Sequence, residues 1–144
     1  MELKGSIDIQ RPVEAVFEYM DDPKNNLEWE SGVVEMELTT DGPVGVGSKG
    51  RRMENYMGRD EGVWEVTAYE KNKSVSITFD SDKFAGDGQW DMEAIDGGTR
   101  LSYRFSGTVK NPFFRLLMPF FTPMVKRQTR RSYGNLKRIL ESQA

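Results

Sequence analysis

The stretch "KNPFFRLLMPFFTPMVKRQTRRSYGNLKRILES", Lys110 to Ser142, decides the fold, because every other element must be placed against it. Phe, Leu, Met and Pro crowd its first half, and Arg and Lys its second. It is a membrane span, a partner-binding helix, or a wall around something the protein holds. The uncharged run Leu116–Val125 has ten residues, about half of the ~20 that a bilayer requires. Pro119 and Pro123 would interrupt or kink a helix through it. Thr122–Pro123 reads as an N-cap followed by a first-turn proline, so the spacing predicts a helix over 122–142. Val125, Ser132, Leu136, Ile139 and Leu140 lie along one stripe of it, continued by Gln128 or Thr129, and the basic residues lie largely off that stripe. At ~1.5 Å per residue the helix would be roughly 30 Å long, enough to cross a whole sheet.

Upstream, the chain supplies a sheet for the helix to cover. "ELKGSIDI" (2–9) alternates, with Leu3, Gly5, Ile7 and Ile9 on one side, which is the two-residue period of a half-buried strand. "RPVEAVFEYMDD" (11–22) places Val13, Val16, Phe17 and Met20 at helical spacing after Pro12. A turn and a short helix around Leu27 and Trp29 follow, then a strand in "GVVEMELTT" with Val34, Met36 and Leu38 on its apolar side. Strand-like runs near 48–57, 61–70, 73–80, 88–95 and 99–109 are separated by "EKNK", "FAGDG" and "IDGGT". Trp64 with Val66, Val75 with Ile77 and Phe79, Trp90 with Met92, and Leu101 with Tyr103 and Phe105 each share a face. An antiparallel sheet, apolar on one side, follows from this. The expected class is α+β, with residues 1–144 forming one domain.

This order of elements and several local pieces resemble the START/Bet v 1-like superfamily, in its polyketide cyclase/dehydrase and lipid-transport group. The resembling pieces are "SIDIQRPVEAVFEYMDDP" (6–23), Trp29, "GVGSKG" (45–50), "WEVTAYEKNKSVSITF" (64–79) and "NLKRILE" (135–141). The resemblance implies a helix-grip fold: seven antiparallel strands curled around the C-terminal helix, two short helices between strands 1 and 2, and a cavity between sheet and helix. The one-sided sheet and its covering helix come from the residues, and the cavity from the resemblance.

Composition narrows the chemistry. The 144 residues include no Cys and no His, which removes disulfides, thiolate catalysis and the usual neutral-pH proton shuttle. No metal or cofactor is expected, and the N-terminus lacks an apolar signal core, so a cytoplasmic setting is expected. "GVGSKG" matches G-x-G-x-x-G, but no helical stripe follows it, and it reads as a strand connection. "DSDKFAGDG" (80–88) fails the EF-hand spacing and reads as a hairpin loop. Basic residues concentrate from Lys110 onward, eight against the single acid Glu141. With a pI near 5.1, nucleic-acid binding is not expected.

Three Trp, eight Phe and five Tyr are enough aromatics to line a cavity as well as fill a core. The expected apolar lining is Trp29, Met53, Trp64, Phe79, Trp90, Phe105, Phe114, Leu117, Phe121 and Val125, holding an apolar small molecule such as a lipid, isoprenoid or polyketide-like compound. Met53 as an inward residue brings Arg51, Asn55 and Met57 to its side. Unless an edge or a bulge leaves Arg51 and Asn55 in solvent, they and Tyr103 are the candidate polar contacts. The alternatives are a cyclase or dehydratase in which Tyr103, Arg51 or Asn55 polarises a carbonyl, and an interaction module of co-chaperone-like type. Phe113, Phe114, Phe120 and Phe121 cannot all face inward on one helix. They either dock transiently on anionic membrane beside the basic run, or plug one end of the sheet with Arg130 and Arg131 paired to acids of the body.

Overall fold

The computed structural model describes residues 1–56 and 58–143, and Met57 lies outside the described residues. Seven strands run β1 (Glu2–Ile9), β2 (Val33–Leu38), β3 (Lys49–Asn55), β4 (Arg59–Glu70), β5 (Ser74–Ser81), β6 (Phe84–Ile95) and β7 (Gly98–Val109). Two short helices, α1 (Val13–Asp21) and α2 (Asn26–Trp29), separate β1 from β2, and α3 (Pro112–Ser142) ends the chain. The strands form one antiparallel sheet in the order β1-β7-β6-β5-β4-β3-β2. This is the helix-grip α+β fold.

The core gathers where the second half of α3 crosses β1, β6 and β7. Ile9, Val16, Phe17, Leu101, Leu136 and Leu140 are almost wholly buried there, with Tyr133 of α3 laid flat on Tyr103 of β7. Their rings stack at 3.9 Å and 3°. Tyr103 needs the bare backbone of Gly5 on the neighbouring strand, since a Cβ there would lie 2.5 Å from its hydroxyl oxygen. Polar stitches fix α3 over the α2–β2 corner: Ser31 N–H donates to Ser132 Oγ at 3.0 Å, and Gln128 Nε2 donates to Ser31 O at 2.9 Å.

Three local expectations are corrected. First, α3 begins ten residues before Thr122. Asn111 Oδ1 accepts from the N–H groups of Phe113 and Phe114 at 2.9 and 3.2 Å, and Pro112 takes the first turn. That is the same cap-plus-proline signature one step earlier in the sequence. Pro119 and Pro123 lie inside the helix, where they remove the N–H partners of the Arg115 and Pro119 carbonyls. Thr122 does not cap; its hydroxyl donates to Met118 O at 2.8 Å. Second, "FAGDG" is strand, and the turn shrinks to Asp82–Lys83. Gly86 and Gly88 permit close approach, a Cβ at Gly86 meeting Ser106 O at 2.0 Å and one at Gly88 meeting the Phe105 ring at 2.6 Å. Third, a bulge between Val33 and Glu35 turns Val34 outward (52 % exposed) and buries Val33 instead.

Candidate ligand cavity

Between the concave face of the sheet and the helices lies a cavity of about 340 Å³, within the range of small-molecule sites. Its apolar wall follows from strand alternation. Trp64 and Val66 of β4, Val75, Ile77 and Phe79 of β5, Trp90 and Met92 of β6, and Phe105 of β7 all face it. Trp64 and Phe79 are direct cross-strand partners, and Trp90 and Phe105 meet edge to face at 5.3 Å. Phe17 and Met20 of α1, Trp29 of α2 and Val125 of α3 close the opposite side. Gly50 gives Trp64 its place: a Cβ there would lie 2.1 Å from Trp64 Cζ2 and 2.4 Å from Glu37 O.

Six of the residues expected from sequence therefore border the cavity: Trp29, Trp64, Phe79, Trp90, Phe105 and Val125. Tyr103 faces the same side of the sheet but is sealed beneath Tyr133, and burial raises its pKa although Arg130 counteracts this. Phe114 and Phe121 stack on each other at 5.9 Å and, like Leu117, are half-buried, but none of the three lines the cavity. For β3 the expected facing is reversed. Arg51, Met53 and Asn55 point to the far face, where Arg51 pairs with Glu37 in solvent at 3.0 Å. Met53 is buried there in a shallow depression that Leu27 and Val34 also line. The apolar residue of β3 thus marks the outer face, and its neighbours Arg52 and Glu54 mark the inner one.

The polar lining is carried by residues whose sequence context gave no periodic signal. Arg52 holds both oxygens of Glu30, at 2.8 and 3.0 Å, and reaches Glu54 at 3.2 Å. Asn26 Nδ2 also donates to Glu30, at 2.9 Å. Burial works against the guanidinium charge, but the two glutamates more than offset this and hold Arg52 above its ordinary value. Asp60, directly across the strand pair from Glu54, is buried and accepts from Ser81 Oγ at 2.9 Å and Lys83 N–H at 3.1 Å. Asp21 accepts from the Tyr69 hydroxyl at 3.0 and 3.1 Å. Burial raises the Asp21 carboxyl, and burial together with that hydrogen bond pushes Tyr69 up to about 12. Among the indoles, Trp90 Nε1 donates to Tyr133 Oη at 2.8 Å. Trp29 Nε1 and Trp64 Nε1 are buried without an acceptor and are sealed from the cavity as well as from solvent.

The first half of α3 presents a different surface. Phe113, Leu116, Phe120 and Met124 are 68, 73, 80 and 43 % exposed, at a spacing that puts them on one face. The face continues into exposed Arg127 and Arg131. Among the described residues no ion pair joins Arg130 or Arg131 to a carboxylate, so the expected pairing with acids of the body does not form. Met124 sits at the cavity margin, its carbonyl accepting from the hydroxyl of cavity-lining Tyr56 at 3.2 Å. No helix among the described residues is long and apolar enough to cross a membrane.

Known structures share this architecture. TTHA0849 from Thermus thermophilus superposes with a TM-score of 0.85 at 16% identity, over 100% of this chain and 99% of that one. A conserved protein from Geobacillus kaustophilus gives 0.82 at 17% identity, over 99% and 96%. Ara h 8.0201 gives 0.71 at 12% identity, over 99% and 98%. At these identities the likeness is one of fold. No curated protein matches the chain. The model of one family, described as polyketide cyclase / dehydrase and lipid transport, matches residues 1–141. With the sheet, the gripped helix and the cavity already in place, the chain belongs to that family, within the START/Bet v 1-like superfamily.

Proposed function

We propose that this protein binds an apolar small molecule, of lipid, isoprenoid or polyketide-like type, without covalent chemistry and in the cytoplasm. The observation that carries this reading is the cavity itself, walled by rings and aliphatic side chains from four adjacent strands and closed by three helices. Family membership supports the same general class of ligand. Organic extraction of protein purified from its own cells, followed by mass spectrometry, tests it. A stoichiometric apolar compound supports the reading, and a ligand-free protein that fails to bind any neutral apolar fluorophore refutes it.

The exposed stripe on α3 supports a membrane step in the same function. Apolar rings beside arginines that no described acid pairs with fit an anionic lipid surface, each basic residue adding up to ~1 kcal/mol when close to it. Docked there, the Met124–Tyr56 margin of the cavity would meet the acyl region, and a ligand would pass without crossing water.

Asp21 favours a second reading, an enzyme of the cyclase or dehydratase kind. A carboxyl raised by burial, held by a tyrosine and bordering an apolar cavity, has the character of a general acid or base. Turnover of a polyketide-like substrate that is abolished in Asp21→Asn would support that reading over simple binding.

A further inference from the structure

On the polar side of the cavity acids outnumber cations. Glu30, Glu54, Asp60 and Asp21 border it, against Arg52, Lys83 and the Met1 ammonium. Each of these cations already has a partner. Both ends of the Arg52 guanidinium are taken by Glu30 and Glu54, the Met1 ammonium donates to Gly107 O at 2.8 Å, and Lys83 is engaged as well. Among the neutral donors, Tyr56 donates to Met124 O, Asn26 to Glu30 and Trp90 to Tyr133, while the Trp29 and Trp64 indole N–H groups are buried away from the cavity. The carboxylate oxygens keep further lone pairs, and two of the carboxylates, Glu54 and Asp60, oppose each other across β3 and β4. Like charges set opposite each other repel, and an anionic head group placed beside them would add a third in a poorly solvated space.

We infer that the cavity selects against carboxylate-headed ligands and takes apolar molecules whose polar end is uncharged or donates a hydrogen bond, such as alcohols and esters. This rests on the proposed binding function and specifies its ligand class. A fatty acid is thereby excluded as the resident ligand even though its tail would suit the walls.

Matched probes test this with the wild-type protein. A fluorescent polyene fatty acid, its methyl ester and its alcohol share one tail and differ only in the head group. At pH 7.5 the ester and the alcohol are expected to bind at least tenfold more tightly than the acid. Glu54→Gln removes one of the opposed charges, and the acid-to-ester ratio should narrow at least threefold. Equal affinity for acid and ester in the wild type overturns the inference while leaving the binding function intact. An unchanged ratio in Glu54→Gln, in protein shown to be folded by circular dichroism, overturns it as well. Failure of all three probes to bind refutes the cavity reading and this inference together.

Discussion

The hydrogen bond from Trp90 to Tyr133 joins the cavity wall to the helix that covers it, and a double-mutant cycle across it measures how firmly the two are coupled. Tyr133 is 4 % exposed, stacks on Tyr103 and receives the Trp90 indole N–H at 2.8 Å. Trp90→Phe leaves that hydroxyl without its donor in a dry environment, which costs about 1–3 kcal/mol, and it also removes part of the indole volume. Tyr133→Phe leaves the indole N–H without its acceptor. The indole N–H lies 2.8 Å from that hydroxyl in the same dry surroundings, and its cost is again about 1–3 kcal/mol. In the double variant neither polar partner remains, so the penalty of an orphaned group disappears. Its loss of stability should therefore be about 1–2 kcal/mol smaller than the sum of the two single losses. For a chain of this length each kcal/mol corresponds to roughly 3–5 °C in Tm. Urea denaturation followed by far-UV circular dichroism, with thermal melts in parallel, measures all four proteins. Additivity within about 0.5 kcal/mol would refute the coupling.

Gly50→Ala should destabilise the fold by about 1–3 kcal/mol or more, because the new Cβ meets a backbone oxygen as well as the Trp64 ring; a Tm unchanged within error would contradict this. Co-sedimentation with anionic vesicles at low salt should retain the wild-type protein and lose Phe120→Ser, and the interaction should weaken as salt is raised. Absence of binding by either protein would leave the first half of α3 as a wall only. The Asp21 carboxyl is raised from 3.8 by burial, so the folded chain holds this proton more tightly than the unfolded chain. Its contribution is complete below the unfolded value and is lost as pH rises through the folded one. Relative to wild type, Asp21→Asn should therefore gain stability on going from pH 3.5 to 7, and a constant difference in Tm across that range would refute the assignment.

Much of this architecture was legible because half-buried strands write their facing into the sequence. Trp64, Phe79, Trp90 and Phe105 each fall in register with an apolar neighbour two residues away, and each faces the cavity. β3 misled for the same reason. Met53 is its one large apolar residue with a clear facing, and it is buried against Leu27 and Val34 on the outer face. Read by alternation, it carried Arg51 and Asn55 inward with it. The informative signal was electrostatic: Arg52 lies two residues from Glu54, and an arginine beside an acid on one strand face can be buried only as a pair. Asp21 and Glu30 sit at the ends of short helices, where no period operates, and only the fold brings them to the cavity. The start of α3 was hidden by repetition, since Asn111–Pro112 and Thr122–Pro123 both spell a helix beginning. The side-chain cap of Asn111 and the burial of Met118 mark the earlier one as the start.

The strand order also dictates a timetable for synthesis. β2 to β7 pair with their sequence neighbours, so each can join the growing sheet soon after it emerges from the ribosome. β1 emerges first but pairs with β7, Ile9 opposite Thr99 and Glu2 opposite Ser106. At ribosomal rates of about 5–20 residues per second, it waits roughly 5–20 s for its partner. Its backbone is open to stray pairing throughout that interval, and the alternate charges of Glu2, Lys4 and Asp8 discourage such pairing. The helix is translated after the sheet. The apolar bowl of the sheet is therefore complete, and uncovered, before its lid is made.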